Sequence, residues 1–418
     1  MMKKDRNQFI DIMRGIAMLL VVLGHTMTGC TVDSQQSLLF NIVWSLQMPL
    51  FILISGYVTK YSCTIWNVKG LFKYIKRRTI AYMLPWFVWS FLIRGIIFGQ
   101  KGFLDIKSLL WNMDSGYWFL ATIWSISMIF GVASYVAELV GKDNNLKKQM
   151  TLLIVYILGM VVLASIGILL GMSFFAIKLT LYYMPFYYLG YLYGQYDARI
   201  LECEKGKRIV DFVIASSFII WLFVILRISI YEMPDNGFAI IMRAGISLAG
   251  CIAISGLSKG LFTNKSDFFR GGAQLDRSAF SGNLLYALPI AMPGKNKKQL
   301  SHMQLDGEKS NFNKLCDDSD INNNSCKSHK QQQMFCIFID GKEKIKKFFL
   351  WAGKRSLEIY MIHGLLLNIL KPHKAVAFSS IEGYFLTFGN FIITIGLCAI
   401  VIELLKQNVF LKKLLSIK

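Results

Sequence analysis

The chain has 418 residues, of which 54% are hydrophobic, 14% aromatic and only 17% charged, and its mean hydropathy is +0.46. A soluble globular domain carries about 25% charged residues, so this composition excludes an ordinary soluble protein and indicates a membrane protein. The formal net charge of +21 is compatible with nucleic-acid binding, but it equally fits a multi-pass protein with cationic cytoplasmic loops.

Ten segments are apolar enough and long enough to cross a bilayer as helices, which takes about 20 residues each. The sequence therefore predicts an all-α fold, a polytopic membrane bundle of about ten transmembrane helices. A very short turn joins the fifth to the sixth. The predicted spans are residues 11–30, 38–59, 79–99, 117–139, 150–172, 174–195, 208–229, 237–258, 353–370 and 383–405.

The charges of the connecting segments alternate along the chain. Basic residues precede the first helix, follow the second, fourth and sixth, and occur throughout the C-terminal tail. The opposite set of loops is nearly neutral, with Asp33 in one and Glu232 and Asp235 in another. By the positive-inside rule, both termini are cytoplasmic in a multi-pass protein of the cell (plasma or inner) membrane. The positive charge is therefore topological, and no nucleic-acid partner is predicted.

A long polar segment interrupts this pattern before the ninth helix. It divides the chain into residues 1–262 with helices 1–8, a polar insert at 263–347, and residues 348–418 with helices 9 and 10 and a basic tail. Runs such as DDSDINNNSCKSHKQQQ are too weakly apolar to fold alone, so a disordered cytoplasmic insert is expected. No metal is predicted, because nine-residue gaps replace the close pairs of structural zinc sites among Cys316, Cys326, His329 and Cys336.

The first helix contains an arginine and a histidine, which are costly in a membrane and are therefore expected to have a function. Eleven residues advance an α-helix by about three turns and 20°, so Arg14 and His25 share one face about 16 Å apart along the axis. Asp11 precedes Arg14 by one turn and can hold its guanidinium. The pair predicts a cation that binds phosphate at the cytoplasmic surface and a base that activates a hydroxyl inside the membrane.

The ninth helix has a similar combination. His363 follows Lys354 by nine residues, about 13 Å deeper, so His363 and His25 are expected at similar depth. Tyr360 precedes His363 by three residues, and Glu358 is a further carboxylate in the same span. These residues also have structural interpretations, since an arginine can snorkel to the interface and an intramembrane histidine can hydrogen-bond a neighbouring helix.

Five stretches carry a resemblance to a known family. They are RGIAMLLVVLGH (Arg14 to His25), MPLFILISGYV (Met48 to Val58), YWFLATIW (Tyr117 to Trp124), MPFYYLGYLYG (Met184 to Gly194) and GKRSLEIYMIH (Gly353 to His363). In this order they resemble the membrane-bound acyltransferase-3 family, which includes fucose 4-O-acetylase-like and polysaccharide O-acetyltransferases. Two features depart from its pattern. Arg77 and Arg78 are adjacent where the family often has two arginines three apart, and the polar insert has no counterpart.

The resemblance implies transfer of an acyl group, usually acetyl, from cytoplasmic acyl-CoA to a sugar hydroxyl of a glycan or lipid-linked acceptor. Acyl-CoA is then a substrate, no metal or redox cofactor is needed, and polysaccharide-assembly proteins are conceivable partners. Arg14, with Arg77 or Arg78, would hold the phosphates of coenzyme A. His25 would act as general base or carry the acyl group covalently, and both mechanisms stay open. The candidates for lining the substrate site are Ser55, Trp118, Glu358, Tyr360 and His363.

Two other functions compete with this one. Intramembrane Arg, His and Glu also occur along permeation paths, so a transporter or flippase for a sugar-containing substrate is the main alternative. Transporters are commonly built from internal repeats, but the C-terminal half has no second copy of the Arg14–His25 pattern, which favours the enzyme. A membrane scaffold or sensor would not require intramembrane histidines.

Overall fold

The computed structural model describes residues 7–62, 65–100, 104–111, 113, 117–141, 144–262, 341–372 and 375–408. The predicted insert and its cysteines lie outside the described residues, apart from 341–347, which are helical. Contacts divide the chain into two compact units, Met1–Asn264 with Phe348–Lys418 and Lys265–Lys347. The architecture below is that of the first unit.

The described chain is almost entirely helical. Its helices are α1 (Gln8–Cys30), α2 (Leu38–Tyr57), α3 (Val68–Phe87) continuing into a π-helix (Val88–Ile97), α4 (Ile106–Trp111), α5 (Trp118–Val140), α6 (Asn145–Leu170), α7 (Ile177–Glu202), α8 (Glu204–Arg227), α9 (Gly237–Phe262), α10 (341–354), α11 (Ser356–Leu370) and α12 (Ile381–Gln407). An isolated parallel bridge joins Val32 to Ala377. The predicted all-α membrane bundle is confirmed.

Eight of the described helices are long and apolar enough to cross a membrane by length and composition. The other two predicted spans correspond to α7, which has 26 residues and many tyrosines, and to α11, which is apolar but has 15 residues. The short join predicted between the fifth and sixth spans is present, because α6 ends at Leu170 and α7 begins at Ile177. Phe175 and Ala176 have left-handed backbone in this join.

The predicted start of the third span, residue 79, is wrong. Residues 69–78 are rich in lysine and arginine, a composition that predicts a connecting segment, but α3 already begins at Val68, capped by the Asn67 side chain. This basic stretch is helical because one of its faces packs on α5. The Tyr74 hydroxyl donates to the Ser127 carbonyl at 3.2 Å, and the Trp124 indole donates to Thr79 at 3.0 Å.

The helices α1 and α2 lie at the centre of the bundle. About two thirds of the apolar window of each is buried, against 17% for α6 and α8, which therefore face the lipid. Glycines allow the closest crossings, as expected where helices pack without a hydrophobic driving force. A Cβ on Gly56 would lie 1.9 Å from the Tyr187 carbonyl oxygen of α7, and one on Gly353 would lie 1.7 Å from the Asp11 carbonyl oxygen of α1.

The two ends of the bundle are named here after α1: the Arg14 end, where α1 begins, and the Cys30 end, where it finishes. Asn7, which caps α1, donates to the hydroxyl of Tyr61 after α2 at 3.4 Å, so α2 ends and α3 begins at the Arg14 end. At the Cys30 end, Val32 pairs with the segment before α12. The π-helix finishes at this same end, because α3 runs away from the Arg14 end.

Candidate active site

His25 of α1 and His363 of α11 lie side by side, with ring centroids 5.3 Å apart and ring planes tilted by 38°. The two histidines therefore lie at similar depth, as the sequence predicts, and the structure brings their rings into contact. His363 is buried, with 4% of its side chain exposed, whereas His25 is exposed. A reacting group can therefore reach the His25 ring, with His363 packed next to it.

The hydrogen bond of His363 fixes its tautomer. Nδ1 lies 2.9 Å from the carbonyl oxygen of Ile359, one turn earlier on α11. A carbonyl oxygen only accepts, so Nδ1 carries the hydrogen and the neutral ring keeps a lone pair on Nε2. His363 therefore offers an acceptor nitrogen at the site.

An aromatic wall lies next to the histidines. The Tyr360 ring is 5.9 Å from His363 and 5.9 Å from Tyr117, whose hydroxyl donates to the Met361 carbonyl at 2.8 Å. Trp118, the first residue of α5, stacks on Tyr183 of α7 at 5.9 Å. Of the two predicted lining residues in this region, Tyr360 touches the histidine pair, and Trp118 lies farther out.

The face of α1 that joins Arg14 to His25 is packed between them. By the 100° period, Met18 and Val21 fall on this face, and both have 0% exposure, whereas Arg14 is half-buried and His25 exposed. The accessible surface at His25 is thus separated from that at Arg14. A donor arm that reaches His25 from the Arg14 end has to displace these two side chains or pass beside α1.

The predicted carboxylates lie at the Arg14 end rather than beside the histidines. Asp11 is 1% exposed and lies where α1 crosses Gly353. Glu358 is 3% exposed and accepts a hydrogen bond from Arg355 at 3.4 Å. Both carboxylates are therefore held at the start of their helices, close to the predicted phosphate-binding arginine.

The two adjacent arginines of α3 have different surroundings in the structure. Arg78 donates to the Tyr82 hydroxyl at 3.0 Å and lies 5.3 Å from the centre of the Tyr74 ring, on the side of α3 that packs on α5. Arg77 is exposed. Arg78 is therefore the one that faces the bundle.

Ser55 does not join the histidine cluster. Val43 and Gln47 of α2 lie against Gly24, next to His25, and Ser55 is eight residues beyond Gln47, about 12 Å nearer the Arg14 end. Its hydroxyl donates to the Phe51 carbonyl at 2.8 Å within α2.

Arg94, which was not among the residues predicted from the sequence, is placed at the Cys30 end by the π-helix. Its guanidinium carbon is 5.6 Å from the centre of the Tyr117 ring, and it interacts electrostatically with Tyr360 and His363. An arginine inside an apolar span was the signal that could have found it. No group of three or more potential metal ligands occurs in the described part of the chain.

Comparison with known proteins places this site in a family. The family described as "Acyltransferase domain", acyltransferase-3, matches residues 7–269. The nodulation protein NolL of Sinorhizobium fredii is 27% identical over 203 residues, which are 46% of this chain and 50% of that protein. Its namesake from Mesorhizobium japonicum is 24% identical over 200 residues, 46% of this chain and 48% of that protein.

The chain thus spans about half the length of the curated relatives it matches. No solved structure matches it. The family match nevertheless covers more than half of the chain, including α1 to α9. The chain belongs to the acyltransferase-3 family, and its helices form a multi-pass membrane acyltransferase domain.

Proposed function

We propose that this domain moves a short acyl group, most simply acetyl, from cytoplasmic acyl-CoA to a sugar hydroxyl. The acceptor is a cell-surface or exported polysaccharide or a lipid-linked glycan, and no resident metal or redox cofactor takes part. One observation carries the proposal: exposed His25, inside the acyltransferase-family region 7–269, lies 5.3 Å from buried His363, which comes later in the chain. Proton transfer to and from a reacting hydroxyl is the work that imidazoles perform near neutral pH.

The donor enters from the Arg14 end, which the positive-inside rule assigns to the cytoplasm. Arg14 and Arg78 supply guanidinium groups for the coenzyme A phosphates, since guanidinium donors fit phosphate oxygens in pairs. Arg78 is preferred to Arg77 because its side chain is turned toward the bundle by Tyr74 and Tyr82. Asp11, buried one turn before Arg14, orients that arginine.

The reaction breaks the bond between the acyl carbon and sulfur and forms one between the acyl carbon and the sugar oxygen. In the general-base route, His25 takes the hydroxyl proton and returns it to the departing thiolate, which leaves as coenzyme A thiol. In the covalent route, an imidazole nitrogen of His25 attacks the thioester carbon and the carbon–sulfur bond breaks, which releases the thiolate. The sugar hydroxyl then attacks the acyl-imidazole, the acyl–nitrogen bond breaks, and the hydroxyl proton ends on the thiolate, which leaves as coenzyme A thiol. His363 sits next to either intermediate, with Nε2 available to accept a hydrogen bond.

The test uses membranes carrying the full chain, acetyl-CoA labelled in the acetyl group, and the glycans of the host as acceptor. Wild type is run beside His25→Ala and His25→Gln, of which the second keeps a polar side chain that is not a base. We expect label in glycan with wild type and none with either variant, while both variants remain in the membrane with unchanged melting temperatures. Without acceptor, label retained on wild-type protein denatured at neutral pH, and absent from His25→Gln, selects the covalent route.

Equal labelling of glycan by wild type and His25→Ala would contradict the proposal. The histidine pair would then be structural, and a sugar transporter or flippase would become the better account of the intramembrane charges.

The donor side has its own test. Arg78→Lys keeps the positive charge but loses the planar donor fork, so we expect a raised KM for acetyl-CoA with a smaller change in kcat. Arg77→Lys, at the exposed neighbouring position, is the matched control and should leave both parameters unchanged.

A further inference from the structure

Arg94 lies at the end of the bundle opposite the arginines assigned to the donor. Arg14 and Arg78 are at the Arg14 end, whereas Arg94 comes 26 residues after the start of α3, near the finish of the π-helix. A cation inside an apolar span is costly and is usually retained for a function. The π-helix that carries Arg94 also indicates a function, because such segments are rare and occur frequently at functional sites.

A chain of contacts connects Arg94 to the histidine pair. Its guanidinium lies over the Tyr117 ring, Tyr117 contacts Tyr360, and Tyr360 contacts His363, each with 5.6–5.9 Å between centres. The Nε–H of Arg94 donates to the Gln100 side chain at 2.9 Å, which orients the guanidinium plane at the Cys30 end. Arg94 is therefore positioned by its neighbours rather than extended into lipid.

The accessible part of the site is also on this side. His25 is exposed, and so is Thr28, one turn closer to the Cys30 end, whereas Met18 and Val21 are fully buried toward the Arg14 end. A molecule that approaches His25 from the Cys30 end therefore meets no packed side chains on this face of α1. In the proposed reaction that molecule is the acceptor.

The π-helix carries two further polar groups that have no hydrogen-bond partner among the described residues. They are Trp89 Nε1 and Ser90 Oγ, in side chains that are 4% and 1% exposed. Both lie within five residues of Arg94, about one turn of a helix with i to i+5 hydrogen bonds. A buried unsatisfied donor is costly, so two of them within about one helical turn of a cation indicate a place where an oxygen-rich group binds.

We propose that Arg94, with Ser90 and Trp89, forms an anion-binding subsite for the acceptor. The subsite takes an oxyanion, either a sugar carboxylate or the phosphate of a lipid-linked sugar, and holds it so that a nearby hydroxyl reaches His25. A guanidinium supplies paired donors for either group, and the neutral donors complete its hydrogen bonds. The inference rests on the proposed acyl transfer and adds the chemical class of its acceptor.

The first measurement is binding without turnover. The full chain in lipid nanodiscs is titrated with three ligands: a neutral hexoside, the uronide with the same aglycone, and the same hexose linked to a short polyprenyl phosphate. Quenching of intrinsic tryptophan fluorescence reports binding. We expect wild type to bind one or both anionic ligands at least about tenfold tighter than the neutral one, the effect expected of a hydrogen bond to a charged group. The preferred anion identifies carboxylate or phosphate as the natural group.

The second measurement repeats binding and acetyl transfer with Arg94→Gln, Arg94→Lys and the control Arg227→Gln, which changes an exposed arginine where α8 finishes. Arg94→Gln should raise the Kd and KM of the anionic acceptor about 10- to 100-fold and leave the neutral acceptor and the KM of acetyl-CoA within twofold. Arg94→Lys should raise the Kd and KM of the anionic acceptor by an intermediate amount, because lysine keeps the positive charge but lacks the paired donors of the guanidinium. The control should match wild type.

Two results would overturn the subsite. One is equal binding of the charged and neutral glycosides by wild type. The other is an Arg94→Gln variant that loses kcat equally with every acceptor, which would make the arginine a support for the aromatic wall. Failure of the acyltransferase function is recognisable separately, since anion binding that depends on Arg94 without any acetyl transfer would retain the subsite and reject the reaction.

Discussion

The crossing of α1 and α10 offers a direct test of how the site is held together, through the substitution Gly353→Ala. The two backbones touch here, because a Cβ on Gly353 would lie 1.7 Å from the Asp11 carbonyl oxygen and 3.0 Å from the Gly15 nitrogen. Ordinary contact begins at 3.4 Å, so the helices must separate by about 1.7 Å to accept one methyl group. Both of these atoms belong to the backbone, so no side chain can move to relieve the strain.

Two consequences follow from that separation. Overpacking of this kind costs about 1–3 kcal/mol of the free energy of unfolding. In addition, α10 leads into α11 through a single residue, and His363 comes ten residues after Gly353. A shift of the helix therefore changes the distance between His363 and His25, and a misplacement of about 1 Å at a reacting centre can cost about 100-fold in rate.

The assay measures the melting temperature in detergent and the rate of acetyl transfer for the same preparation. Gly353→Ala should lower both. The control is Gly396→Ala on α12, where nothing lies within 4 Å of the added Cβ and where alanine is the better helix former. A Gly353→Ala protein with the rate and melting temperature of wild type would refute the reasoning, because it would show that the crossing is looser than the structure has it.

Three further predictions concern the surroundings of the site. Asn41 is buried, donates to two carbonyls at the end of α8 and accepts from the Ile230 amide, so Asn41→Ala should lower stability by about 1–3 kcal/mol, measured as thermal unfolding. The hydrogen bond and positive charge of Lys178, followed by those of Arg243 on α9, lower the pKa of the Asp235 carboxyl. The ion pairs therefore stabilise the fold above the usual carboxyl pKa, and this stabilisation is lost as pH falls through the lowered pKa. The melting-temperature difference between wild type and Asp235→Asn should therefore shrink progressively below about pH 4, and a difference that stays constant as pH falls contradicts the ion-pair explanation. Finally, the rings of Phe262 and Phe349 are 5.6 Å apart, so a short Gly-Ser linker in place of residues 265–347 should keep both fold and transfer rate; loss of transfer with intact folding would assign the insert a role in activity.

Much of the bundle was predictable because crossing a bilayer leaves a strong signal in composition. Long apolar segments mark most of the helices, and α1, α2 and α5 to α9 fall close to the segments that hydropathy predicts, whereas the six-residue α4 is too short to give that signal. The start of α3 was missed for a physical reason. A charged run reads as a loop when only hydropathy is considered, but Tyr74 and Thr79 give one face of that run a packing partner on α5, which makes it helical.

The site was only partly predictable, since the sequence gives spacing along a helix but not the neighbours of that helix. Periodicity placed Arg14 and His25 on one face, and similar depth suggested His363 as a neighbour. Packing then decided that Ser55 lies about 12 Å from this level and that Arg78 rather than Arg77 faces inward. The π-helix that positions Arg94 depends on tertiary packing, and no local pattern predicted it.

The histidine pair also shows which parts of the chain are needed for one site. His25 lies within the region that the family model matches, residues 7–269, whereas His363 lies almost a hundred residues beyond its end. Yet α1 packs on α11 and α12 as well as on α2, and Gly353 touches the backbone of α1 directly. A fragment that stops after α9 would therefore keep Arg14, Arg78, Arg94 and His25 but lose the buried surface that α11 places against His25. In this chain the polar insert separates α9 from α11 in the sequence, yet Phe262 at the end of α9 contacts Phe349 within α10, and α11 still brings His363 next to His25.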